Sequence, residues 1–254
     1  MSAQILDGKA LAAEIRSEVK TQVAALAEKG VSTALAVILV GDDSASQVYV
    51  RNKIKACADT GIRSLEFRMP AETTQQQLLA KIAELNADEG VDGILVQLPL
   101  PKQINADAVI SAIDPVKDVD GFHVANAGAL VTGKQGFVPC TPFGVMRLIE
   151  KSGVNPRGKS AVIIGRSNIV GKPMALLLLA ADATVTVAHS RTPDLSAVTR
   201  NADILVAAVG RAKLIKADMV KPGAVVIDVG MNRDENGKLC GDVDFDAVEP
   251  KASY

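Results

Sequence analysis

The stretch that most constrains the fold is Val162-Ile163-Ile164-Gly165-Arg166-Ser167-Asn168-Ile169-Val170-Gly171-Lys172-Pro173. An apolar, β-branched run stops at a glycine, and a second glycine follows six residues later. The helix-favouring segment Met174-Ala175-Leu176-Leu177-Leu178-Leu179-Ala180-Ala181 comes next. Strand, tight turn and helix in that order aim backbone N–H groups from the positive end of a helix dipole, an arrangement that binds phosphate. The pattern is a variant of the dinucleotide fingerprint, with Ser167 where the middle glycine of G-x-G-x-x-G would stand. On its own it reads equally as a strand-to-helix turn whose glycines serve packing.

The rest of the chain carries the same rhythm. Helices are expected over 9–29 (Leu11, Ile15, Val19, Val23 and Leu26 inward), from Ser44 or Ser46 to about 60, over 74–87 with Thr73 as cap, 141–150, 172–181 and 194–201. Strands are expected at 34–40, 64–68, 91–97, 161–164, 184–188, 204–209 and 225–229. Between about 102 and 140 the periodicity is weak, and a loop of that length inside a compact chain is usually functional. Strands alternating with helices predict an α/β fold with mostly parallel sheets. With 254 residues the chain is long for one doubly wound sheet and suits two lobes of about 100–150 residues. The division is placed near 140, giving domains 1–139 and 140–254.

Composition excludes several classes. Hydrophobic residues make up 48% and aromatic residues 3%, so Ala, Val, Ile and Leu do the packing. A formal charge of −1 makes no electrostatic case for nucleic acid or for an anionic membrane surface. Cys57, Cys140 and Cys240 are widely spaced, and with only His123 and His189 they form no metal-ligand pattern. The first residues lack the basic and apolar regions of a secretory signal, and no apolar run reaches a membrane span. The expectation is a soluble, cytoplasmic protein without a metal.

Four groups of residues stand out chemically. After the strand following the turn comes His189-Ser190-Arg191, where an NAD site would carry an acidic residue for the ribose 2′-hydroxyl. A hydroxyl and a guanidinium there, with Arg166 in the turn, favour the 2′-phosphate of NADP, unless Ser190 and Arg191 are simply a solvated loop. Tyr49 and Lys53 lie at i, i+4 on one helix face. The Tyr-x-x-x-Lys pair of short-chain dehydrogenases follows the dinucleotide turn, whereas this one precedes it, so that reading is excluded. From the two residues alone, a solvent-facing lysine beside a half-buried tyrosine is the better account. Gln97 ends a buried strand and leads into Leu98-Pro99-Leu100-Pro101, placing a donor–acceptor group at a strand's carboxyl end or merely satisfying a loop. Asp118 and Asp120 in Lys117-Asp118-Val119-Asp120-Gly121 suit an amine or amidine group, or cap turns.

Together these segments resemble the bifunctional methylenetetrahydrofolate dehydrogenase/methenyltetrahydrofolate cyclohydrolase family. The likeness is carried by Ser46-Gln47-Val48-Tyr49 with Lys53, Asp92-Gly93-Ile94-Leu95-Val96-Gln97-Leu98-Pro99-Leu100-Pro101, Lys117-Asp118-Val119-Asp120-Gly121-Phe122, Pro139-Cys140-Thr141-Pro142, Gly165 through Pro173, and Val229-Gly230-Met231-Asn232-Arg233. The resemblance implies a folate-binding βαβ lobe (1–139), a Rossmann-like NADP lobe (140–254), a cleft between them, and a homodimer. It implies that Lys53 is the central catalytic residue, that Gln97 tunes it, that Tyr49 stacks on the folate's aminobenzoyl ring, and that Asp120 holds the pterin. It further implies that Gly165, Arg166, Ser167, Ser190, Arg191 and Met231 line the NADP site, and that tetrahydrofolate one-carbon derivatives are the substrates, in a pathway feeding purine biosynthesis. The family pattern continues past Tyr254 into a glycine- and proline-rich segment and a last helix, which this sequence is expected to omit. A catalytically silent folate- or nucleotide-binding protein is the competing reading, and the joint presence of Tyr49, Lys53, Gln97 and Asp120 speaks against it.

Overall fold

The structure is a computed structural model and describes residues 2–254. The chain divides into two compact units. One comprises Lys9–Ala129 with Gln135–Phe137; the other comprises residues 2–8, Leu130–Lys134 and Val138–Tyr254.

The unit beginning at Lys9 is built on a three-stranded parallel sheet. The strands β1 (Ala34–Val40), β2 (Arg63–Met69) and β3 (Gly93–Val96) are ordered β2-β1-β3. The central strand β1 is apolar throughout and almost wholly buried, as a parallel strand covered on both faces must be. At the edge, β2 turns Arg63, Glu66 and Arg68 outward, and Arg68 pairs with Glu66 at 2.6 Å. Charge on an exposed edge discourages pairing with another chain. Helices α1 (Gly8–Glu28), α2 (Ser44–Thr60) and α3 (Gln75–Ala87) accompany the sheet. In α1 only Leu11 is fully buried; Ile15, Val19 and Val23 are half-buried, and Leu26, expected inward, is exposed. The cap of α2 is Asp43, whose carboxylate accepts from Ser46 N, rather than Ser44 or Ser46. The cap of α3 is Thr74, not Thr73, because Thr74 and Gln77 complete a reciprocal capping box.

The weakly periodic stretch is not a loop. It holds α4 (Ala106–Ala112) and α5 (Val124–Thr132). Asn105 caps α4, its side chain accepting from Ala108 N at 3.1 Å. The segment between the two helices is fastened to the end of α3. Lys117 Nζ donates to the carbonyls of Leu85, Asn86 and Asp88, and the Asn86 side chain bonds Ala112 O and Asp114 N.

The other unit carries the four-stranded sheet β5-β4-β6-β7, every pairing parallel. Its strands are β4 (Ser160–Ile164), β5 (Thr184–Ala188), β6 (Ile204–Ala207) and β7 (Val225–Asp228). The accompanying helices are α6 (Cys140–Lys151), α7 (Gly171–Ala180) and α8 (Leu195–Thr199), shorter than expected in the last case. A hairpin of β8 (Asn232–Arg233) and β9 (Leu239–Cys240) and a short α9 (Phe245–Val248) complete it. Two clusters of buried residues, one around Leu205 and Val162 and one around Ile163 and Leu178, cover the two faces of this sheet. Alternation along β4 decides which side chain joins which cluster. Residues 2–8 belong here too: Ala3 N donates to Glu249 O, and Leu6 packs against the buried cluster around Ile163 and Leu178. No helix among the described residues is long and apolar enough to cross a membrane.

Candidate active site

Parallel strands place their carboxyl ends on one side of the sheet, where open α/β sheets take ligands. In the Lys9–Ala129 unit three sequence-predicted residues meet at that end. Lys53 is half-buried on α2, and its Nζ donates to Gln97 Oε1 at 3.0 Å. Gln97 Nε2 donates to its neighbour's carbonyl, Leu98 O, at 2.7 Å, which turns Oε1 toward the lysine. The Gln97 backbone N–H still pairs with Ile38 O, so the side chain leaves from the last rung of the β1–β3 ladder.

Asp120 reaches the same end by a separate route. Ile94 N donates to Lys117 O, and Ile94 bridges Asp118 in parallel, so residues 117–119 run along the free edge of β3. Gly93 permits this approach, since a Cβ there would overlap the Val119 side chain. Burial pushes the Asp120 carboxyl up to about 6; the Lys53 ammonium pulls it back down, and the Asp118 carboxylate adds to the rise. Asp118 is itself buried and accepts from His123 N and from Asn126 Nδ2. Asn126 also donates to Pro115 O and accepts from Phe137 N. Of the two carboxylates, Asp118 therefore organises the loop and Asp120 is presented. Tyr49 lies one turn before Lys53 and is 43% exposed, leaving ring surface for a ligand.

In the other unit both turn glycines are required by close approach. A Cβ at Gly165, which has φ 120°, would overlap Ala208 O, and a Cβ at Gly171 would overlap Gly165 O. Their spacing is set by the seating of α7 against the end of β4. Ser167 Oγ accepts from Val170 N and Gly171 N, so the hydroxyl serves the first N–H groups of α7. The N–H groups of Arg166, Ser167, Asn168 and Ile169 donate to no protein acceptor among the described residues, and this exposed stretch fits a phosphate. Ser190 and Arg191 are exposed just beyond β5, next to β4 in the sheet. Their turn is fixed independently of their side chains: Thr192 N donates to His189 O, and Arg191 N to His189 Nδ1. Met231, 63% exposed, follows β7, two strands from β4.

The family model for the tetrahydrofolate dehydrogenase/cyclohydrolase catalytic domain matches residues 6–120, and that for the NAD(P)-binding domain of the same enzymes matches residues 139–254. The chain belongs to the tetrahydrofolate dehydrogenase/cyclohydrolase family. "Bifunctional protein FolD" of Polaromonas naphthalenivorans is 60% identical over 254 residues, covering 100% of this chain and 90% of the relative. A solved bifunctional FolD enzyme from Campylobacter jejuni is 53% identical with a TM-score of 0.97, covering 100% of this chain and 90% of that one. The Trypanosoma brucei dehydrogenase-cyclohydrolase, solved with NADP and an inhibitor, is 41% identical with a TM-score of 0.94 over 100% and 90% of the two chains. The α/β architecture with parallel sheets is thus the family's own. Sequence reasoning gave Asp118 and Asn126 no distinct role. A buried carboxylate–amide pair eight residues apart leaves no periodic mark; the one usable signal was an acidic residue two positions before another in a stretch of poor periodicity.

Proposed function

We propose that this chain oxidises 5,10-methylenetetrahydrofolate to 5,10-methenyltetrahydrofolate with NADP and then hydrolyses the product to 10-formyltetrahydrofolate. The observation that carries the reading is the meeting of Lys53, Gln97 and Asp120 at the carboxyl end of one parallel sheet. Folate binding is assigned to the unit of Lys9–Ala129 with Gln135–Phe137, and NADP to the unit that ends at Tyr254, so that residues 2–8 and Leu130–Lys134, expected in the folate lobe, go with the cofactor unit. A homodimer in the cytoplasm, supplying one-carbon units for purine synthesis, completes the reading; its support is the family resemblance.

Asp120 would accept two N–H bonds from the amino-pyrimidine edge of the pterin, the bidentate contact a carboxylate makes best. Tyr49 would stack on the aminobenzoyl ring. Lys53 would move protons at the ring nitrogens during hydrolysis, held in place by Gln97 Oε1. The cofactor's pyrophosphate would sit on the N–H groups after Gly165, and Ser190, Arg191 and Arg166 would hold the 2′-phosphate. NADP, when bound, supplies the hydride acceptor. The protein's share of that step is alignment.

The test supplies methylenetetrahydrofolate and NADP and follows reduction of NADP together with methenyl and formyl products. Wild-type protein should perform both steps. Lys53→Met should lose ring opening by roughly a hundredfold or more, the usual worth of a positioned proton carrier, while its NADPH affinity stays intact. Wild-type protein that reduces no NADP, or a Lys53→Met variant with undiminished hydrolysis of methenyltetrahydrofolate, refutes the reading.

A further inference from the structure

Among the described residues of the NADP unit, Asp242 alone is a buried carboxylate, and it has no place in the scheme above. Asp242 is completely buried. Its Oδ2 accepts from Val209 N at 2.6 Å and Gly210 N at 3.1 Å; its Oδ1 accepts from Arg211 N at 2.8 Å and from Asn232 Nδ2 at 2.9 Å. The first three are the successive residues beyond β6, and Asn232 directly follows Met231 beyond β7. A second carboxylate fixes the first: Asp228 accepts from Asp242 N, Val243 N and Gly230 N. Gly230 and Gly241 leave room for the pair, since a Cβ at Gly230 would overlap Asp242 and one at Gly241 would overlap Asp228.

Three successive N–H groups at a strand's carboxyl end form an anion-binding concavity. The sheet offers two of these on adjacent strands, one beyond β4 and one beyond β6. The one beyond β4 has N–H groups without protein acceptors; the one beyond β6 is filled by the protein's own carboxylate. We infer that Asp242 is a positioning residue for the dinucleotide site: it occupies the second cradle, which leaves the Gly165 turn as the phosphate seat, and ties the backbone beyond β6 to Asn232 and so to Met231. This rests on the reading of the unit as an NADP site.

Asp242→Asn isolates the effect. A carboxylate offers two acceptor oxygens to four donors, whereas an amide offers one and turns an NH2 group toward N–H donors. The variant's KM for NADP and its Kd for NADPH should rise roughly tenfold, the scale of orphaned donors in a buried site. Hydrolysis of preformed methenyltetrahydrofolate, assigned to the other unit, should keep its kcat and KM. A purely structural role would instead lower both activities together with the yield of folded protein. Asn232→Ala removes one of the four donors and should raise the NADP KM roughly threefold; it decides the matter where Asp242→Asn does not fold. An unchanged NADP KM in the folded variant, or an equal fall in both activities, overturns the inference. Titration of wild-type protein with NADPH separates the two levels: no binding there refutes the cofactor reading itself.

Discussion

Asp120 meets two opposing demands. Its burial favours the neutral acid, while its proposed ligand needs the carboxylate. With the folded value pushed up to about 6 from 3.8, the folded protein holds a proton that the unfolded chain releases between those values. Stability contributed by that proton is fully present below about 4 and lost as pH rises through about 6. The loss is at most about 3 kcal/mol, from roughly two pKa units at 1.36 kcal/mol each. Asp120→Asn stays neutral throughout. It should be more stable than wild type at pH 8 by up to that amount and equal to it at pH 4, as read from urea midpoints at pH 4, 6 and 8. Parallel curves for the two proteins would show that burial is not what raises the group. In activity the sign reverses: kcat/KM for the folate should rise with pH through about 6 in wild type, and that step should vanish in Asp120→Asn. The sequence placed Tyr49 and Lys53 on one helix face because spacing alone decides that. The Lys53–Gln97 bond joins residues 44 positions apart and depends on β3 lying beside β1, which no local pattern reports.

Among elements, the edge of β3 carries the most consequence. Residues 117–119 lie against it only because Gly93 lacks a side chain, and Asp120 is one residue beyond. Gly93→Ala should push that segment away, lowering folate kcat/KM by roughly tenfold or more and stability by about 1–3 kcal/mol, the usual range for overpacking. The double variant Gly93→Ala/Val119→Ala removes the methyl that the new Cβ meets and should recover most of both losses. A double variant as impaired as the single one would refute the packing argument. The same region shows why part of the fold was illegible. Amphipathic α3 announces itself through its helical period, and the buried parallel strands through unbroken apolar runs. In contrast, α4 has only seven residues, and α5, Val-Ala-Asn-Ala-Gly-Ala-Leu-Val-Thr, spreads small and apolar residues around the helix with no stripe. Its buried residue is the polar Asn126, held by Asp118 rather than by a core. Asn105 before Ala106 was the one readable signal for α4, since its side chain caps the helix.

At the scale of the whole molecule, each compact unit has its own sheet and its own buried clusters, and the two were legible to different degrees. The NADP unit could be read from residues, because a strand–turn–helix with two close-approach glycines and the replacement of an acid by Ser190 and Arg191 are physical statements about phosphate and charge. The chemistry of the other unit became readable only through resemblance, since Lys53, Gln97 and Asp120 come from three separate elements. If the two roles are carried by separate units, cofactor preference should change without touching hydrolysis. Arg191 offers the cleanest test: its side chain is exposed, and its turn is held through His189 and Thr192, so truncation should leave the backbone in place. Arg191→Ala should lower the kcat/KM preference for NADP over NAD by roughly tenfold to a hundredfold, the worth of a charge-assisted bond to a phosphate. The wild-type preference should shrink as salt rises from low to physiological strength, and the variant's should barely respond. Hydrolysis of methenyltetrahydrofolate should be unchanged in the variant at every salt concentration. An undiminished NADP preference would move 2′-phosphate recognition to Arg166 and Ser190, and a parallel loss of hydrolysis would refute the division of roles between the units.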